Sequence, residues 1–151
     1  MDARTYAEVD YLTPMMHLGV AGILVVFGIP LLLHGLFRRR RFSRLRDGEQ
    51  TWKARSSIRI ELLTGGVALL IAAVFGALSW NGYERSTRHL EANIVQRYHP
   101  SSFELGYWNG SWATIDITLP DGTRFPDSIV MLRAGSEPFI EDIWYHHNPK
   151  L

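Results

Sequence analysis

Hydrophobic residues are distributed unevenly along this chain, in two long apolar runs and then in shorter alternations. Met15 to Phe37 carries no Asp, Glu, Lys or Arg, and neither does Leu62 to Trp80. Runs of about 18 such residues are enough to suggest a helix that spans a bilayer. The first run holds Gly19, Gly22, Gly28, Pro30 and Gly35, residue types commoner in membrane helices than in soluble ones. Pro30 is expected to kink it and to free the carbonyl of Val26. The second run is more regular. Thr64, Ala68, Ala72 and Gly76 recur at intervals of four, a small-residue ridge that lets another helix approach closely. The first span is its nearest partner, and a helix of another subunit is the alternative.

Beyond Trp80 and Tyr83, amphipathic aromatics that suit a membrane boundary, the period stays helical from Glu84 to Tyr98. Leu90, Ile94 and Tyr98 are spaced by four, Glu84 precedes Arg88 by four, and Pro100 closes the segment. This helix can continue the second span outward. The period then becomes strand-like. Phe103 to Trp108 meets Asn109-Gly110, a strong hairpin signal, and Trp112 to Leu119 returns. Pro120-Asp121-Gly122 makes a second turn. Ile129 to Arg133 reads as a third strand with Pro126 near its start, and Phe139 to Trp144 as a fourth strand or a helical turn. The expected fold is a membrane protein, a two-span α-helical hairpin followed by a small extracytoplasmic α+β domain of one helix and a three- or four-stranded antiparallel meander. Its divisions are a tail (1–14), a first span (15–37), a basic loop (38–61), a second span (62–80) and the outer domain (81–151).

Charge turns this pattern into an orientation. The loop carries nine basic residues, Arg38, Arg39, Arg40, Arg41, Arg44, Arg46, Lys53, Arg55 and Arg59, against Asp47, Glu49 and Glu61, a net of +6. The tail nets −2 and the outer domain −3. Short loops rich in Lys and Arg stay cytoplasmic, so a multi-pass protein of the cell membrane with both termini extracytoplasmic is expected. A cleaved signal peptide fits poorly, because the positive charge follows the first apolar run instead of preceding it. Arg38 to Arg41, Arg44 and Arg46 are read as topology and membrane-surface residues facing the anionic inner leaflet, with Trp52, Lys53 and Arg55 able to lie on the lipid surface. That assignment displaces nucleic acid as a partner. The chain has no cysteine, so the outer domain is not a disulfide-stapled module, which on composition alone points to a bacterial envelope.

Chemistry is sparse. There is no cysteine nucleophile and no Gly-x-Ser-x-Gly elbow, and Glu141 and Asp142, being adjacent, would point apart on a strand. Met15, Met16 and His17, with His146 and His147, are types that suit copper, but interfacial packing and solvent exposure explain them as well. His17 and His34 would stand about 25 Å apart along one helix, too far to share a haem. Asn109-Gly110-Ser111 matches a glycosylation sequon and is equally explained as a turn. No metal, cofactor or small-molecule substrate is expected.

The outer domain is rich in aromatics: Phe103, Tyr107, Trp108, Trp112, Phe125, Phe139, Trp144 and Tyr145. Half should form the core, and exposed aromatics often mark a contact surface. Tyr107, Trp108, Trp112 and Trp144 are the expected protein-interaction residues. In element order over about residues 84 to 144, and in the Leu119-to-Thr123 turn, the domain resembles small extracytoplasmic domains of the PepSY type and short membrane-anchored actinobacterial envelope proteins. The likeness carries over no functional residue. The leading expectation is a non-catalytic accessory or scaffold subunit of an envelope complex, with membrane lipids and other membrane-protein subunits as partners, docking through the second span and the outer domain. A phage- or prophage-encoded protein of superinfection exclusion or phage defence ranks second, and a small membrane-anchored enzyme last.

Overall fold

The computed structural model describes residues 5–45 and 51–148. In chain order the elements are α1 (Leu12–Phe42), α2 (Trp52–Tyr98), β1 (Ser102–Trp108), β2 (Trp112–Thr118), β3 (Arg124–Arg133), β4 (Glu137–Ile140) and α3 (Glu141–His147). They divide into two compact units. Thr13–Asn81 is a helical hairpin, and Met1–Leu12 together with Gly82–Leu151 is an α+β unit.

In the hairpin, α1 and α2 are both long and apolar enough to cross a membrane, and only 17% of the most apolar window of each is buried. What they bury is small. On α1 the buried residues are Pro14, Ala21, Gly28 and Gly35, at intervals of seven; on α2 the matching positions are Ile58, Gly65, Ala72 and Ser79, again by sevens. A seven-residue repeat averages 3.5 residues per turn, the period that keeps one seam of each helix facing its partner in a left-handed coiled coil. The glycines let the backbones touch. A methyl group placed on Gly65 would lie 2.9 Å from the Leu32 backbone nitrogen and 3.1 Å from the Gly28 carbonyl oxygen. One on Gly28 would lie 3.1 Å from Leu69 and 3.3 Å from Ala68. Near the other end the buried Ser79 hydroxyl donates to the Pro14 carbonyl at 2.7 Å. Helix α1 continues through Pro30.

The α+β unit is a four-stranded antiparallel meander in the order β1-β2-β3-β4. Its core joins Leu90 and Ile94 of α2, Ala113, Ile115 and Ile117 of β2, Val130 of β3, Ile140 of β4 and Ile143 of α3. Strict alternation along β2, Ala113, Ile115 and Ile117 in and the residues between them out, is the period-two signature of a sheet with one covered face. The first hairpin turns at Gly110-Ser111, one residue later than Asn-Gly suggests. The Asn109 N–H donates to the Trp112 carbonyl at 3.2 Å, the Asn109 side chain accepts the Ser111 and Trp112 N–H groups, and Gly110 takes φ +96, as the first central residue of a type II′ turn does.

Two features depart from the sequence reading. Strand β3 begins at Arg124 instead of Ile129 and runs through Pro126. A register shift between Ile115 and Ile117 explains it: Asp127 adopts φ +50 and its N–H turns to the Asp116 carboxylate at 2.8 Å, so the ladder asks Pro126 for no donor. The other departure is the tail. Expected as a separate segment, its described part before Thr13 belongs to the α+β unit, where Val9 and Tyr11 pack against the core, and Thr13 and Pro14 already lie in α1. The fourth element is a strand and a helical turn in succession, β4 and then α3.

Candidate interaction surfaces

Three places gather polar or aromatic side chains: the basic end of the hairpin, the tail's seat on α2, and the open face of the sheet.

At the basic end, Arg38 of α1 pairs with Glu61 of α2 and also donates to the Ser57 hydroxyl at 3.2 Å. By sequence alone Glu61 falls among the loop charges. It lies instead on α2 facing α1, mostly buried, with the His34 ring nitrogen 4.0 Å from its second oxygen. With the Arg38 side chain 37% exposed the pair is only partly buried, and it links the two helices at this end of the hairpin. Arg39, Arg40, Arg41 and Arg44 are exposed, and Arg46 lies outside the described residues. The four-residue ridge of the second span is divided. Ala72 is buried and Ala68 meets the Gly28 position, whereas Thr64 is exposed and nothing lies within 4 Å of a methyl on Gly76.

The tail is held through its backbone. The Asn93 side chain accepts the Ala7 N–H at 2.9 Å, donates to the Ala7 carbonyl at 2.8 Å and donates again to the Ser136 carbonyl at 3.0 Å. The Val9 N–H donates to the Ser136 hydroxyl at 2.9 Å, His89 contacts the Glu8 carbonyl at 2.6 Å, and the Ser86 hydroxyl donates to the Asp10 carbonyl. Asn93 is almost fully buried, 1% exposed. Its amide thus takes up both main-chain polar groups of one residue, which would otherwise be left unmet. The pattern of Ser86, His89 and Asn93 gives no sequence motif, because its partners are main-chain atoms.

Next to the tail, Tyr11, Tyr83 and Trp108 cluster with ring centroids 5.2 to 6.2 Å apart. Trp108 is therefore a correction: expected on a partner-facing surface, it is 4% exposed and belongs to the core. A register shift between Leu105 and Trp108 directs it inward, while Tyr107 beside it stays 68% exposed. Burial raises the Tyr11 phenol above its ordinary value, with Tyr107 and Tyr83 adding to the effect.

The other sheet face is open. Trp112 pairs across to Met131 and Met131 to Phe139, while Thr114 pairs with Ile129. Tyr107 meets Trp112 edge to face at 5.9 Å, and the Arg133 guanidinium lies 3.4 Å from the centre of the Phe139 ring, a cation–π contact. Tyr107, Trp112, Ile129 and Met131 are all exposed, an apolar band across three strands. Trp144 is exposed on α3 and stacks edge-on with Tyr145 at 5.1 Å.

The groups with possible chemistry are scattered among these features. His17 packs on Phe75 at 5.4 Å in the hairpin; His146 packs on Phe125 at 5.5 Å, and His147 bonds the Ile143 carbonyl at 2.8 Å. Among the described residues no three His, Cys, Asp or Glu side chains come together as metal ligands. Asp121, held below the usual carboxylate range by the Thr123 N–H, is a turn residue. Tyr98 is raised by burial against the lowering effect of the Ile140 N–H it accepts, and it ties α2 to β4. No protein-family model, curated protein or solved structure matches the chain.

Proposed function

We propose that the chain is a two-span membrane protein with both termini extracytoplasmic, acting without catalysis as an accessory or scaffold subunit of a larger envelope complex. In this reading the hairpin is the anchor and the α+β unit the docking module. The membrane part is supported by the hairpin's inverted burial, Gly, Ala and Ser inside with Leu63, Leu70 and Phe27 outside, which suits an apolar solvent. The orientation is supported by the +6 loop. It accords with the tail and the C-terminal segment sharing one compact unit, as segments on the same side of two crossings can.

The observation that carries the docking role is the apolar band of Tyr107, Trp112, Ile129 and Met131 on the open sheet face. Aromatic and Met side chains are enriched at protein contacts, and small monomers seldom leave such a band uncovered. The small residues of α2 are less suited to docking, since Ala68 and Ala72 are turned to α1. The test is purification from native membranes in mild detergent. A partner should co-purify in fixed stoichiometry with the wild type and be lost from the Tyr107→Ser, Trp112→Ser, Met131→Ser variant. A wild-type protein that purifies as a lone monomer would sink the proposal.

A further inference from the structure

The chain contains the pair Asn-Gly twice, as Asn81-Gly82 inside α2 and as Asn109-Gly110 at the turn between β1 and β2. We propose that Asn109 is a site of spontaneous covalent modification and that Asn81 is not: the Asn109 side chain closes on the Gly110 nitrogen to give a succinimide, which water opens to aspartate or isoaspartate. Neither the membrane reading nor the docking role is needed for this.

Water is the only co-reactant. The Gly110 nitrogen forms a bond to the Asn109 side-chain carbonyl carbon and gives up its proton, the carbon–nitrogen bond of the carboxamide breaks, and ammonia leaves carrying that proton. Water then adds across one of the two imide carbon–nitrogen bonds. Cleavage at the side-chain carbonyl restores the main chain with aspartate at position 109, whereas cleavage at the main-chain carbonyl leaves isoaspartate and an extra backbone carbon. Nothing is oxidised or reduced. Either product adds a negative charge to the turn, between Tyr107 and Trp112 of the open sheet face.

The turn prepares the carboxamide for this attack. The Asn109 side-chain oxygen accepts the Ser111 N–H at 2.9 Å and the Trp112 N–H at 3.0 Å. Negative charge builds on that oxygen as the nitrogen attacks, and two fixed N–H donors at such distances hold a developing oxyanion more strongly than a neutral carbonyl. Among the described residues neither the Gly110 N–H, which supplies the nucleophile, nor the Asn109 amide nitrogen, which leaves, makes a hydrogen bond. Gly110 takes φ +96 with the Tyr11 ring standing where a Cβ would go, so the fold requires glycine here and no side chain shields its nitrogen. Exposure alone would choose the other pair, since Asn81 is exposed and Asn109 half-buried. But Asn81 and Gly82 lie in the interior of a 47-residue helix, in whose ladder each N–H donates to the carbonyl four residues earlier. The Gly82 nitrogen cannot reach the Asn81 side chain until that turn of helix opens.

The test incubates the full chain in neutral detergent at neutral pH in heavy-oxygen water, then digests it and follows the two Asn-Gly peptides by mass spectrometry. The heavy label marks only residues converted during the incubation. Short synthetic peptides carrying each pair, treated alike, supply the rates without structure, and these should be similar to each other. In the folded chain Asn81 should convert at least about tenfold more slowly than its peptide, because attack waits on local opening of the helix. Asn109 should convert as fast as its peptide or faster, with isoaspartate among the products. Slowing of both sites to the same degree would overturn the assignment, since the hydrogen bonds of the turn would then guard the carboxamide instead of activating it. Faster conversion at Asn81 than at Asn109 would overturn it too. Aspartate at position 109 without isoaspartate would overturn the ring closure, because direct hydrolysis of the amide leaves the main chain as it was.

Discussion

In the hairpin the positions turned inward are mostly small, Gly28, Gly35, Gly65 and Ala72 among them with Ile58 at one end, while Leu63 and Phe27 stand exposed; in the α+β unit Leu90, Ile94, Ile115 and Ile140 are inside. One unit is organised around the removal of large apolar side chains from water, worth roughly 25 cal/mol per Å². The other is organised around close approach of two backbones, which works where the surroundings are as apolar as the side chains. The same chain thus holds two packing rules, and Ser79 shows the second of them on a polar side chain, its hydroxyl spent on a partner helix's carbonyl. Substitutions should separate the two rules.

The largest effect is expected at Ile94, fully buried in the sheet core. Ile94→Ala should cost about 2–5 kcal/mol in thermal or denaturant unfolding, whereas Leu63→Ala, on an exposed hairpin position, should stay within about 0.5 kcal/mol in detergent. Comparable losses would erase the contrast. Asn93→Ala comes next, at about 3 kcal/mol, because buried main-chain groups of Ala7 and Ser136 lose their partner; limited proteolysis should then cut residues 5–11 first. In the hairpin, Gly65→Ala forces a methyl against the Leu32 backbone and should cost about 1–3 kcal/mol. Gly66→Ala, with open space around it, should stabilise by up to about 1 kcal/mol through helix propensity. If both glycines respond alike, the seven-residue seam is wrong.

Tyr98 is expected to matter less than Ile94 or Asn93. Tyr98→Phe removes the acceptor of the Ile140 N–H and the donor to the Pro138 carbonyl, a loss of about 1–2 kcal/mol. Burial raises this phenol above its ordinary 10.0, so the folded state keeps the proton longer than the unfolded chain does. The corresponding stability is complete below pH 10 and falls as pH rises through the raised value. The wild type should lose stability over that alkaline range, and the Phe variant should lose less, since Tyr11 alone of the two raised phenols remains.

The elements themselves could be read from the sequence. The apolar runs lie inside α1 and α2, Pro100 follows the end of α2, and Trp112 to Leu119, expected as the returning strand of a hairpin, contains β2. Three things escaped. The seam of the hairpin follows a period of seven, and Thr64, Ala68, Ala72 and Gly76 drift off it because a strict spacing of four overshoots 3.6 residues per turn. Trp108 and Tyr107 are neighbours on one strand and cannot both face a partner, but which of them turns in depends on a register shift near Leu105 that leaves no sequence mark. The seat of the tail leaves no sequence mark because Asn93 binds the main-chain N–H and C=O of residue 7, and any residue except proline there would offer the same pair.

That seat also orders events in time. Val9 bonds Ser136, 127 positions further along the chain, and at about 5–20 residues per second of synthesis that one contact becomes possible roughly 6 to 25 seconds after Val9 is made, later than those to Ser86, His89 and Asn93. The seat on α2 is therefore completed only after the turn that precedes β4 has been made.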